Sequence, residues 1–444
     1  MIVCWCQRDI AAPRQLSNRR INLSAFVKAT PSPLTVSGVR AKTVPMTEVF
    51  KGNFTQQEPI PEEGIAAAMD VLRSGRLHRY NLGPDEIGEV ALLEREFAAH
   101  TGARHALAVT SGGYAMATAL RALGVGAGDR VLTNAFTLAP VPGAIASVGA
   151  QPVFVGVTEG LTIDLADLAS KADRADVLML SHMRGHLADM DALMAICDAH
   201  GVTVIEDCAH TMGAAWRGVP SGRWGRVGCF STQTYKHMNS GEGGFLITDD
   251  DEVMARAVIL SGSYMLYERH GTVPPAEVFD GVKYDTPNVS GRMDHLRAAI
   301  LRPQLRCLPE QCARWNARYR AVEAGLRGTP GLTLTERAEA ERYVGSSIQF
   351  LLLDWESGAV AEVIRRCAAR GVELKWFGGA EPAGFTSRYD SWRYAPSTPM
   401  PATDRILRGI VDMRLPLTFS LDDCAQIARI IRAEVGAVWQ MRAA

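Results

Sequence analysis

The chain has 444 residues with 47% hydrophobic side chains, long enough to bury a large apolar core and to divide into two packed domains. Its 47 basic and 48 acidic residues nearly cancel to a formal charge of -1, which leaves no global field to favour nucleic acid or an anionic membrane and points to small-molecule chemistry in the cytoplasm. Nine cysteines, an odd number scattered from Cys4 to Cys424, exclude a secreted disulfide framework, and no pair among them has partners at zinc-ligand spacing, so no structural metal is expected.

In chain order, residues 1–45 stand apart. Arg8, Arg14, Arg19, Arg20, Lys28, Arg40 and Lys42 face a single acid, Asp9. A targeting peptide would be basic in this way, but the segment lacks an apolar secretory core and helical periodicity, so it reads as a disordered extension or an over-extended start before Met46. A first domain is expected over 46–308. Apolar spacings of three and four predict helices near 65–72 and 90–97, and 106–110 reads as a buried strand followed by a helix over 114–123. Further short apolar runs at 130–134, 151–157, 177–181 and 202–206 alternate with helical sequence, and Met190, Leu193, Met194 and Cys197 mark one apolar helix face. Such alternation predicts an α/β fold with a mainly parallel sheet, whose ligands collect beyond the carboxyl ends of the strands. Two more strands, 228–231 and 244–248, enclose a polar, glycine-rich turn. After Leu308 a long helix and mixed elements predict a smaller domain over 309–444. No apolar run reaches the roughly 18 to 20 residues that span a bilayer.

Three places carry the chemistry. Asp207 ends an apolar strand, where a carboxylate leaves the core and can hold the proton of a pyridine nitrogen; a helix cap explains an isolated aspartate there equally well. Lys236 lies in the turn between the last two strands, with Ser231 five residues before it and Gly241, Gly243 and Gly244 after it. A semi-buried loop of small residues lowers an amine's pKa and admits an aldehyde cofactor, although a lone lysine in a hairpin would be an ordinary surface residue. Gly112 and Gly113 open a helix after a strand, so their N–H groups suit a phosphate; alone they are a turn with Ser111 as its cap.

Taken together, Glu206 and Asp207 with His210, the 231–244 segment, His182 with Gly185 and Asp189, and Arg292 to Asp294 resemble the DegT/DnrJ/EryC1/StrS family of fold-type-I aminotransferases over about residues 60–310. That resemblance implies a large domain on a mixed, mainly parallel seven-stranded sheet plus a smaller α+β C-terminal domain. It also implies a homodimer with a shared active site, pyridoxal 5'-phosphate as cofactor, and amino transfer from glutamate or glutamine to a keto-sugar or cyclitol ketone. Lys236 would be the Schiff-base anchor and proton shuttle, Asp207 the partner of the ring nitrogen, and Gly112, Gly113 and Ser231 the phosphate ligands, with His210 at the ring.

The sequence departs from the family pattern in three places. Leu138 stands where an aromatic residue usually stacks on the ring, leaving Phe136 or Tyr114 as substitutes. Asn288 or Ser290 would reach the partner's phosphate. Arg184 replaces a usually aromatic residue and, with His182 and Tyr80, is a candidate for substrate contact, an internal salt bridge being the plain alternative for Arg184. Another carbanion outcome, such as elimination or racemisation, and a non-catalytic regulator on the same fold are the competing readings.

Overall fold

A computed structural model describes residues 48–384 and 386–443; the basic extension therefore lies outside the described residues. Seven five-residue strands form the main sheet: β1 (His105–Val109), β2 (Arg130–Asn134), β3 (Gln151–Val155), β4 (Val177–Ser181), β5 (Thr203–Asp207), then, beyond the short strands β6 (Ala215–Trp216) and β7 (Val219–Pro220), β8 (Val227–Ser231) and β9 (Gly244–Thr248). Their order is β1-β9-β8-β5-β4-β2-β3, with β9 antiparallel to both neighbours and every other pairing parallel. This is the mixed, mainly parallel sheet that the sequence implies. β1, β4, β8 and β9 are buried along their whole length, as expected where helices cover both faces.

The four remaining strands of the C-terminal part, apart from the short β11 (Glu341–Arg342), make an antiparallel sheet in the order β10-β12-β14-β13: β10 (Thr333–Leu334), β12 (Ser347–Leu351), β13 (Lys375–Trp376) and β14 (Ile410–Arg414). Helices Ser357–Ala369 and Leu421–Ala443 supply Val360, Val363, Ile427 and Ile431 to its core. Phe50 and Phe54 pack there too, edge-on to Phe419 at 5.0 and 4.9 Å, although the sequence groups them with the first domain. Three rings in such contact each gain about 0.5–1.5 kcal/mol beyond simple burial.

The expected boundary at 308/309 falls inside one continuous helix, His295–Leu326. Pro303 and Pro309 lie within it and mask its length in the sequence, because each lacks a donor and locally spoils a helical pattern. The helix contributes Leu301 and Leu305 to the core beside β1 and β9, and Val322 and Leu326 to the core of the C-terminal sheet. One rod therefore joins both packing regions.

Candidate active site

The register β4–β5–β8 sets Ser181 opposite Asp207 and Asp207 opposite Cys229, at the carboxyl ends of three parallel strands. Ser181 Oγ donates to Asp207 Oδ2 at 2.9 Å and the Ala209 N–H donates to Oδ1 at 3.1 Å, which fixes the carboxylate at the lip of a cavity of about 440 Å³. Strand alternation turns the preceding residue the other way. Glu206 is fully buried and accepts from the backbone N–H groups of Gly222, Trp224 and Gly225 at 2.7–2.9 Å. Its remaining partner is His182 Nε2 at 3.0 Å. Burial pushes this carboxyl up, but His182 and the backbone donors outweigh it and hold the group below its usual range. His182 thus braces the sheet and is absent from the cavity wall, contrary to its expected place at the substrate. His182, Glu206 and Cys208 are close enough together for a metal, yet the glutamate oxygens are already spent on these donors.

The turn between β8 and β9 is tied across itself by Thr232 Oγ1 and Ser240 Oγ at 2.7 Å. It delivers Lys236 to the same cavity, where Nζ lies 2.8 Å from His210 Nε2. Burial lowers the lysine pKa to about 7; Asp207 opposes the shift while Arg184, Arg414 and Lys375 add to it. His210 is also held well below its usual range, by burial and then by Lys236. Its Nδ1 accepts from the Arg184 N–H at 3.4 Å, so the hydrogen-bond network assigns the ring proton to Nε2, pointing at the lysine nitrogen. A lysine pKa brought down to about 7 leaves much of the amine neutral near pH 7, the form that attacks a carbonyl.

Gly112 begins helix Gly112–Ala122, capped by Ser111 Oγ on the Tyr114 N–H at 3.0 Å. A Cβ on Gly112 would meet Ser231 Cβ at 2.9 Å, and one on Gly244 would meet Gly112 N at 2.6 Å. Three chain segments can converge here only without side chains at those two positions. Gly112, Gly113 and Ser231 all line the cavity, placing helix N–H groups and a hydroxyl where an anion fits. An electrophile-seeking lysine, a carboxylate and an anion cradle on one cavity fit pyridoxal phosphate in all three of its handles.

Leu138 lines the cavity, and the two proposed aromatic substitutes do not. Phe136 is turned into the core edge-on to Phe377 at 5.1 Å, and Tyr114 donates its hydroxyl proton to the Leu260 carbonyl at 2.8 Å. Of the three residues, Leu138 alone lies on the cavity wall. Tyr80 is likewise outside the cavity, its hydroxyl 2.8 Å from His270 Nε2. Asn288 and Ser290 are exposed and contribute nothing to this chain's cavity; Ser290 accepts from Arg292 Nη1 at 3.2 Å. Arg184 does reach the wall, from a backbone at φ 56°.

Sequence reasoning missed the wall residues Tyr235, Glu242 and Arg414, and Ser181, which touches Asp207 from behind the wall. Arg414 stacks on Tyr235 at 3.7 Å from the ring centroid. The only signal for Ser181 was its position at a strand end beside that of Asp207.

A doubly covered, mainly parallel sheet, a lysine beside β8 and a carboxylate at the end of β5 define a fold-type-I pyridoxal-phosphate enzyme. The DegT/DnrJ/EryC1/StrS aminotransferase family model matches residues 59–432, and the chain belongs to that family. It is 36% identical over 287 residues to a dTDP-3-amino-3,4,6-trideoxy-alpha-D-glucose transaminase of Streptomyces venezuelae, covering 62% of this chain and 69% of the relative. It is 33% identical over 285 residues to a Streptomyces kanamyceticus protein named for amino transfer between L-glutamine and 3-amino-2,3-dideoxy-scyllo-inosose, covering 63% and 66%. The chain thus spans about two thirds of the length of each of these curated relatives. Among solved structures, a 3-amino-5-hydroxybenzoic acid synthase superposes with a TM-score of 0.74 at 28% identity, covering 87% of this chain and 99% of that one. Among the described residues, no helix is long and apolar enough to cross a membrane.

Proposed function

We propose that this chain moves an amino group from glutamate or glutamine to a ketone on a sugar, nucleotide-linked, or on a cyclitol. The observation that carries the reading is the shared cavity of Lys236, Asp207 and the Gly112–Ser231 cradle, with Lys236 Nζ 2.8 Å from His210 Nε2. Bound pyridoxal phosphate supplies an electron sink that makes a substrate C–H acidic.

The chain's own residues do the rest. Gly112 and Gly113 N–H with Ser231 Oγ would hold the phosphate, and Asp207, steadied by Ser181, would keep a proton on the ring nitrogen. Leu138 would pack at the ring face and His210 would set the direction of the lysine nitrogen. Lys236 Nζ would carry the proton removed from the donor's α-carbon to the carbon that bore the cofactor's aldehyde, and in the second half-reaction would carry a proton from there to the acceptor's former carbonyl carbon. We assign the reaction to a homodimer in the cytoplasm. Asn288 and Ser290, exposed in one subunit, would complete the phosphate site of the other.

The test is spectroscopic. Protein incubated with pyridoxal phosphate should gain a visible absorbance band that glutamate or glutamine removes and a keto-sugar restores. A band that persists in Lys236→Ala, or that neither donor alters, defeats the assignment.

A further inference from the structure

One end of the cavity carries a cluster of charges that the cofactor does not use. β13 and β14 pair with Lys375 directly opposite Asp412, and Arg414, two residues beyond Asp412, projects from the same face of β14. Arg184 comes up to this face from the main sheet. Its guanidinium is 8% exposed, and its Nη2 lies 3.0 Å from Asp412 Oδ2, which is fully buried. The two are near enough to attract but are badly aligned: Arg184 Nε and Nη2 and Asp412 Oδ2 all lack a hydrogen-bond partner. Asp412 instead accepts from Gln349 Nε2 at 2.7 Å through its other oxygen, and Gln349 Oε1 is anchored by His186 Nε2 at 2.7 Å. Below the guanidinium lies the face of Phe377, 5.8 Å away.

Arg184, Lys375 and Arg414 thus gather about the buried Asp412 carboxylate, with the exposed Glu373 also acting on Lys375. Burial lowers the Lys375 pKa to about 8, with Arg184 and Arg414 adding to the effect and Asp412 opposing it. Arg414 is lowered by burial and then by Arg184. Glu242, the other acid on the wall besides Asp207, belongs to the turn next to Gly243 and Gly244 and is not among the main charges acting on these cations. Partly buried like charges held together repel, and an anion arriving among them relieves that repulsion.

We propose that Arg184, Lys375 and Arg414 form a subsite for a carboxylate carried by the keto acceptor itself. This deepens, and rests on, the aminotransferase reading. A group recognised by a side chain as enclosed as Arg184 must enter the cavity, whereas the diphosphate of a nucleotide-linked substrate would trail towards the mouth. An amino-acid donor needs one cation for its α-carboxylate, and three are present. The planar guanidinium suits a planar carboxylate, with the ammonium of Lys375 as a point charge beside it.

The test is calorimetric titration of the cofactor-loaded enzyme with D-glucuronate, D-glucose and UDP-glucose. Glucuronate should bind about tenfold or more tighter than glucose, the return expected for a charge-assisted hydrogen bond. Lys375→Met/Arg414→Met should abolish that preference. Because Arg184→Met alone would strand Asp412, Arg184→Met/Asp412→Asn is the second variant, and it too should erase the preference. Equal binding of glucuronate and glucose, or a preference that survives both double variants, overturns the proposal. So does UDP-glucose binding that depends on these residues while glucuronate shows no advantage. If the variants slow uptake of the amino group from glutamate as much as they weaken glucuronate, the cations serve the donor and the proposal falls. The aminotransferase reading is scored separately, by whether glutamate or glutamine removes the visible band; its failure leaves the binding comparison intact.

Discussion

Two buried arginine–carboxylate pairs in this molecule are built to different standards. Arg79 and Glu94 meet through two parallel hydrogen bonds of 3.0 Å, and Glu94 accepts further from the N–H groups of Ala108 at 3.0 Å and Gly271 at 2.9 Å. His270 Nδ1 lies 3.0 Å from Arg79 Nη2, and Tyr80 closes the group from the other side of that ring. Arg184 and Asp412 have similar burial but share no aligned hydrogen bond, and the arginine sits at a positive φ that a residue with a Cβ rarely adopts. In the first pair only Arg79 Nε lacks a partner; in the second, Arg184 Nε and Nη2 and Asp412 Oδ2 all do. Arg184, which lines the cavity, is therefore the less satisfied of the two arginines.

The largest effect that would break this comparison belongs to the satisfied pair. Arg79→Met strands a buried carboxylate and should cost about 3–5 kcal/mol in urea unfolding; a loss under 1 kcal/mol would mean that the pair is not structural cement. Next comes acid. Burial, and then Arg79, hold the His270 pKa at about 4, below the unfolded value of about 6.5. The unfolded chain therefore binds this proton first, and stability should fall as pH drops from about 6.5 to about 4. Glu94, brought down to about 2 by Arg79 and His270 against the upward push of burial, contributes stability above about 4.5 that is lost as pH falls towards 2. Urea midpoints between pH 7 and pH 3 should decline through both windows, each by on the order of 3 kcal/mol at most; a flat profile from 6.5 to 4 would show His270 already charged in the fold.

The smallest expected effect is on the deficient pair. Replacing both members, Arg184→Met/Asp412→Asn, removes charge without stranding any and should change stability by only about 1 kcal/mol. It should also remove one of the cations that depress Lys236. The amine then keeps its proton to higher pH, so the rate at which cofactor-free protein captures pyridoxal phosphate should need a higher pH to reach its plateau. An unmoved profile would break the link between Arg184 and the lysine.

The sequence made the first half of the site legible because its parts are local. Asp207 ends an apolar run, Lys236 sits between two more, and Gly112 and Gly113 follow another, so strand ends locate all of them. Arg414 and the pairing of Lys375 with Asp412 depend on an antiparallel sheet formed more than a hundred residues later, and no local pattern announces which face of a two-residue strand meets a cavity. His182 was misjudged through neighbourhood: it follows Ser181, which does touch Asp207, yet its own ring turns to Glu206. Tyr80, Phe136 and Tyr114 likewise lie off this chain's cavity wall, bonded to His270, packed on Phe377 and bonded to Leu260, since aromatic residues near a site are as readily consumed by the core. The long helix was begun too late because its prolines interrupt the pattern that would reveal it.

The crowding of Gly112 against Ser231 and Gly244 has an evolutionary consequence. Gly112 and Gly244 admit no side chain, so variation cannot enter the cavity through that junction. Lys375, Asp412 and Arg414 project from a separate sheet and are free to change without disturbing that junction, which lets selection rewrite which acceptor is taken while the amino-transfer machinery is inherited unchanged.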